Sequence, residues 1–126
     1  MDARLEAISE SAEDPWDGFR ERCRAYLEMA LEPEIQRIVL RDARAVLGGT
    51  TPDAQRHCIA SMQRLINRLI QQDVVAEVDP EALASLIYGS LEEAACWIAE
   101  SEDGSVRLAR SLAALELLLR GLRVRS

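Results

Sequence analysis

The sequence contains no lysine. All 15 of its basic residues are arginine, against 22 acidic ones, for a formal charge of −7 over 126 residues. A free-standing nucleic-acid binder carries the opposite balance, so this chain alone is not expected to bind DNA. Cysteine is scarce and scattered: Cys23, Cys58 and Cys96 make no CxxC pair, and any pairing leaves one over. That argues against a disulfide framework or a zinc site and suits reduced thiols in a cytosolic protein. No stretch approaches the roughly 18 continuous apolar residues of a membrane span. The opening MDARLEAISESAEDPW has acids where a signal peptide needs a basic start and an apolar core. The expected location is cytoplasmic, with no membrane partner.

The signatures of catalysis are missing as well. There is no GxSxG, no HExxH, no Gly-rich phosphate loop and no paired Glu-x-x-His. Glu92 and Glu93 are adjacent, but neighbours on a helix point about 100° apart. Glu93 reads as solvent-facing and Glu92 as an edge residue within reach of a cavity. The single histidine, His57, has no carboxylate or thiol at ligand spacing, so no metal or cofactor is expected. A helix-turn-helix pattern ahead of a basic recognition helix is also lacking. The chain reads as a non-enzyme.

What is present is helix. Alanine, leucine and arginine abound and β-branched runs are short, which favours an all-α fold in one domain. Each proline sits at a helix start: Asp14-Pro15, Glu32-Pro33, Thr51-Pro52 and Asp79-Pro80 each precede an amphipathic run. A further break falls at Ser101–Gly104. Five main helices follow, with a short piece around Ala3–Ser9. Residues 1–13 read as the remnant of a longer linker helix or a frayed start, and 14–126 as the domain proper.

The run Pro15–Leu31 carries Trp16, Phe19, Cys23, Tyr26 and Ala30 at helical spacing, opposite Asp17, Glu21, Arg24 and Glu28. These aromatics are either core or the lining of a cavity for a small apolar ligand. In Pro33–Leu47, Asp42 interrupts the stripe of Ile35, Ile38, Val39, Ala43 and Val46. It is either a structural partner for a neighbouring arginine or a polar anchor at a pocket wall. Pro52–Gln72 presents Cys58, Ile59, Met62, Leu65, Ile66, Leu69 and Ile70 on one face.

The helix Asp79–Glu100 is apolar over roughly 220° of its circumference, about twice what one core requires. Ser85, Gly89 and Cys96 leave much of the rest small. In Ser105–Arg123, Leu108, Leu112, Leu115, Leu119 and Leu122 form a 4-3-4-3 seam, and Val106, Ala109, Ala113 and Leu117 make a second face. Two successive helices, each apolar on two sides, predict a hairpin that pairs with its copy as a four-helix homodimer interface. Ser85, Gly89 and Cys96 on one helix and the five seam leucines on the other are its candidate contacts.

The strings EPEIQRIVLRDARAVLGG and DPEALASLIYGSLEEAACWIAE, with the Thr51–Ile70 helix between them and the leucine-rich helix after, resemble the C-terminal half of TetR-type transcriptional regulators. The resemblance runs from about Asp14 to Leu122. It implies an all-α effector-binding and dimerisation domain, whose last two helices form the two-fold interface and whose earlier helices enclose an effector pocket. Phe19, Cys23, Tyr26, Asp42, Met62, Ile66, Tyr88 and Glu92 are the candidate pocket residues, for a small apolar or amphipathic effector. The family's N-terminal helix-turn-helix domain has no counterpart in the sequence, so DNA contact is expected only through a segment outside it. Many relatives carry Pro and then Trp where this chain has Ala43-Arg44-Ala45 and the residues after Gly49. A ligand-free helical-bundle adaptor is the alternative reading.

Overall fold

The structure is a computed structural model, and it describes residues 7–8, 14–34 and 52–124. Among these residues it holds four α-helices: α1, Pro15–Glu28; α2, Pro52–Gln71; α3, Pro80–Ala99; and α4, Gly104–Arg120. The all-α expectation therefore stands with four described helices in place of five. The predicted Pro33–Leu47 helix, Asp42 included, lies outside the described residues beyond its first two positions.

Local chemistry sets the helix ends. Asp14 is extended, its carboxylate accepts from the Trp16 N–H, and Pro15 takes the first turn. Asp79 repeats the arrangement ahead of Pro80, accepting from the Ala82 N–H at 2.9 Å. Both satisfy amide groups that have no partner inside the helix. Asp103 caps α4 by accepting from the Ser105 N–H at 3.1 Å, and the hydrogen bond from the Ser105 hydroxyl, with this one second, holds its carboxyl below the usual range. α1 tightens into a 3-10 turn, Met29–Leu31, and stops where Glu32 turns extended ahead of Pro33.

α2 ends on Asp73, whose φ of 59° is the left-handed turn usually given to glycine. The Val74 N–H then reaches back to the Leu69 carbonyl at 2.9 Å and closes the helix end. α4 stops short of the predicted Arg123 because the chain is drawn into a clasp. Leu122–Val124 runs antiparallel to Val74–Ala76, with the Ala76 N–H on the Leu122 carbonyl at 3.0 Å and the Val124 N–H on the Val74 carbonyl at 2.8 Å.

α3 is central and packs against α1, the 3-10 turn, α2 and α4. Phe19, Leu27, Ile66, Leu69, Leu91, Ile98 and Leu119 fill the middle and are essentially inaccessible to solvent. At its start, α4 comes close under the α1 end. A side chain on Gly104 would lie 2.7 Å from Leu31 Cδ2 and 3.1 Å from the Ile98 carbonyl, so any other residue would need Leu31 to move and the helix ends to give slightly. Across the bundle, Glu116 on α4 accepts from Arg20 Nε at 2.8 and 3.0 Å and from Arg24 Nη1 at 3.2 Å, tying α4 to α1. Nearer the start of α4, Arg107 and Arg110 lie over the Trp97 ring at 4.7 and 5.1 Å.

Candidate functional site

α1, α2 and α3 meet around a small cavity lined by Arg22, Tyr26, Cys58, Met62, Tyr88 and Leu91. Its free volume is about 10 Å³, close to what one water needs. The Tyr26 and Tyr88 rings meet edge to face, 5.9 Å apart. The apolar walls are ordinary for a helical core, but two polar groups are not. Arg22 is only 3% exposed; its Nη1 donates to Ser61 Oγ at 2.9 Å, while its Nε has no hydrogen-bond partner among the described residues. The Tyr26 hydroxyl is likewise buried, with the Tyr88 side chain near it but no partner in hydrogen-bond geometry among the described residues. Burying such groups unpaired is costly, and here two of them line one space.

Burial also sets the titration of this region. It pushes Tyr26 far above the ordinary tyrosine range, with smaller contributions in the same direction from Tyr88, Glu92 and Cys58. The neighbouring Cys23 thiol is pushed up to about 12 by burial, against a small opposing pull from the Arg22 charge. The phenol and the thiol are therefore neutral near pH 7. This wall supplies donors and no acid–base pair.

Of the candidate pocket residues, Tyr26, Met62 and Tyr88 line the cavity. Phe19, Cys23 and Ile66 are core residues sealed from solvent behind it. Glu92 is half-buried, near enough for its charge to act on Tyr26. Asp42 lies outside the described residues. Sequence reasoning missed Arg22 and Ser61. The signal was there: Arg22 stands four residues before Tyr26 and three after Phe19, on the same stripe. An arginine at that position invites the assumption that it reaches solvent.

A second feature lies on the outside. Ser85, Leu86, Gly89 and Ser90 on α3 are exposed, as are Ala113, Ala114, Leu117 and Leu118 on α4. Leu86 and Leu118 retain 72% and 61% of their accessible surface, far more than isolated leucines of a small domain need to. Between the two helices runs an apolar groove of about 240 Å³ with Leu86, Ser90, Leu115 and Leu118 among its walls. The candidate dimer contacts divide accordingly. Ser85 and Gly89 lie on this free face. Cys96, Leu115 and Leu119 are buried in the chain's own core, and Leu108, Leu112 and Leu122 pack half-buried against it. The 4-3-4-3 seam packs on the core, and its Leu115, Leu119 and Leu122 also line the groove, whose rim is extended by the exposed Leu118 beside Leu117. With two apolar sides on one helix, spacing alone does not say which side meets the core.

An all-helical unit with a buried donor pair and an uncovered apolar face fits a regulatory domain, and similarity to known proteins gives the class. Residues 16–122 match the model of the tetracyclin repressor-like C-terminal domain, and the chain belongs to that family of transcriptional regulators, not to an enzyme family. Among solved structures it is similar to the crystal structure of a TetR-family transcriptional regulator from Pectobacterium atrosepticum, with 77% identity and a TM-score of 0.90. That match covers 98% of this chain and 64% of the other, so the chain spans less than two thirds of that regulator. No curated protein matches it. Among the described residues, no helix is long and apolar enough to cross a membrane.

Proposed function

We propose that this domain binds a small effector between α1, α2 and α3 and dimerises through the outer face of α3 and α4. The observation that carries the reading is the double duty of α3. Its Tyr88 and Leu91 wall the cavity, while Leu86 and Ser90, on the same two turns, stand at the groove outside. A ligand that shifts Tyr88 shifts the helix that presents Leu86. In an intact regulator such a shift would change the spacing of two DNA-binding heads, because the ligand favours one dimer arrangement over another.

The free cavity is too small for any metabolite as it stands, and this favours a second reading, a ligand-free dimerisation or adaptor module. A thermal-shift screen against anionic, neutral and cationic metabolites separates the two. A compound that stabilises wild type but not a Tyr88→Ala variant supports effector binding. A panel without any stabilising compound rejects it and leaves the adaptor. Sedimentation through the micromolar range tests the dimer, which a monomer at all concentrations would refute.

A further inference from the structure

We infer that the effector is a small apolar monoanion, a carboxylate whose head group is held by Arg22 and Tyr26. This inference rests on the effector-binding reading above and adds the chemistry of the ligand. Arg22 and Tyr26 stand one helical turn apart on α1, and both line the same cavity. Among the described residues the buried Arg22 Nε–H has no partner, and the buried Tyr26 hydroxyl has only the Tyr88 side chain near it, without hydrogen-bond geometry. Ser61 accepts from Arg22 Nη1 but is neutral, so it satisfies one donor without compensating the charge. A guanidinium can only donate, and a carboxylate, with two acceptor oxygens, meets both orphaned donors and supplies the opposite charge.

The rest of the wall selects against other chemistries. Cys58, Met62, Leu91 and the Tyr88 ring offer apolar surface, which suits a short hydrocarbon or aryl tail and not a second polar group. Glu92, engaged in contacts of its own at the half-buried edge, puts a negative charge near Tyr26, and this disfavours a polyanion. A cation would meet Arg22 directly. Room for the tail has to come from repacking of the wall, where Met62, unbranched with three rotatable bonds, is the side chain best able to adapt.

The test is calorimetry and thermal shift with benzoate and hexanoate against benzamide, hexanamide and hexylamine, on wild type, Arg22→Met and Tyr26→Phe. Wild type is expected to bind the acids at least about tenfold more tightly than the matched amides, as charge-assisted hydrogen bonds imply, and not to bind the amine. Arg22→Met should abolish the acid–amide difference while melting no lower than wild type, because an uncompensated charge gives way to an apolar chain of similar length. Tyr26→Phe should weaken the acids several-fold and keep the fold.

Amides that bind as tightly as the acids overturn the anion inference and leave the effector reading intact. Failure of every compound in the wider metabolite screen rejects the effector reading itself. An Arg22→Met variant that melts far below wild type or fails to fold, where Arg22→Lys behaves as wild type, shows a structural charge and overturns the assignment.

Discussion

Leu118 and Leu119 are adjacent in sequence and separate two kinds of stability. Leu118 is 61% exposed on the outer face of α4, whereas Leu119 is 2% exposed in the core. Truncating a leucine to alanine removes about three methylene equivalents, worth roughly 2.5 kcal/mol when fully buried. Covering only the part of Leu118 that is now exposed is worth about 1.5 kcal/mol per protomer. A two-fold interface uses the same residue twice, so Leu118→Ala should weaken the dimer by about 3 kcal/mol, on the order of a hundredfold in Kd. The isolated subunit should keep its stability. Leu119→Ala should behave in the opposite way, costing about 2–5 kcal/mol in folding through the cavity it leaves, with little effect on association while the chain is folded. Sedimentation velocity over a dilution series, alongside urea melts, reads both quantities. A Leu118→Ala dimer within twofold of wild type, or a Leu119→Ala variant that dissociates while still fully stable, would refute the assignment of faces.

Three further outcomes follow from the local geometry. Asp73→Gly should raise stability by up to about 1 kcal/mol, because glycine adopts the left-handed turn without steric cost; a urea melt checks it. Glu116→Gln should cost about 0.5–1 kcal/mol, since the Arg20 and Arg24 pairs that Glu116 holds are only partly buried and screened, and the loss should shrink in high salt. Cys23 gives a pH signature. Its thiol stays protonated in the folded chain to about 12, against an ordinary value of 9.0. The stability it contributes is therefore complete below pH 9 and falls as pH rises through that window, at up to about 1.4 kcal/mol per unit. Urea melts of wild type and Cys23→Ala from pH 8 to 11 should diverge on the alkaline side, and parallel curves would contradict the burial.

Helix starts were legible because proline and a preceding Asp determine them chemically, as at Asp14 and Asp79. The core stripe of α1 was legible because Trp16, Phe19, Cys23, Tyr26 and Ala30 share one face whose opposite side is charged. α3 and α4 were not resolved in the same way. Leu86 and Ile87 are equally apolar, yet one is largely exposed and the other buried; Ile87 shares the helical row of Leu91 and Ile98 while Leu86 lies beside it, and what covers that flank is not written in the spacing. The clasp involving Val74–Ala76 escaped notice because a three-residue pairing has no periodicity to detect. Arg22 escaped for a different reason: charge is a good guide to the surface except where the side chain is buried and bonded inside, as Arg22 is to Ser61.

The clasp bears on how this domain can change shape. Its two hydrogen bonds, at 2.8 and 3.0 Å, pin the end of α4 to the segment that leaves α2. Sliding α4 by a single residue would move it 1.5 Å along its axis and break both. Translation of α4 therefore costs both bonds, whereas a swing about that end keeps them. The far end, where Gly104 sits against Leu31 and Ile98, would travel farthest. A small displacement at the cavity would then emerge as an angle at the outer face, with the clasp as fulcrum.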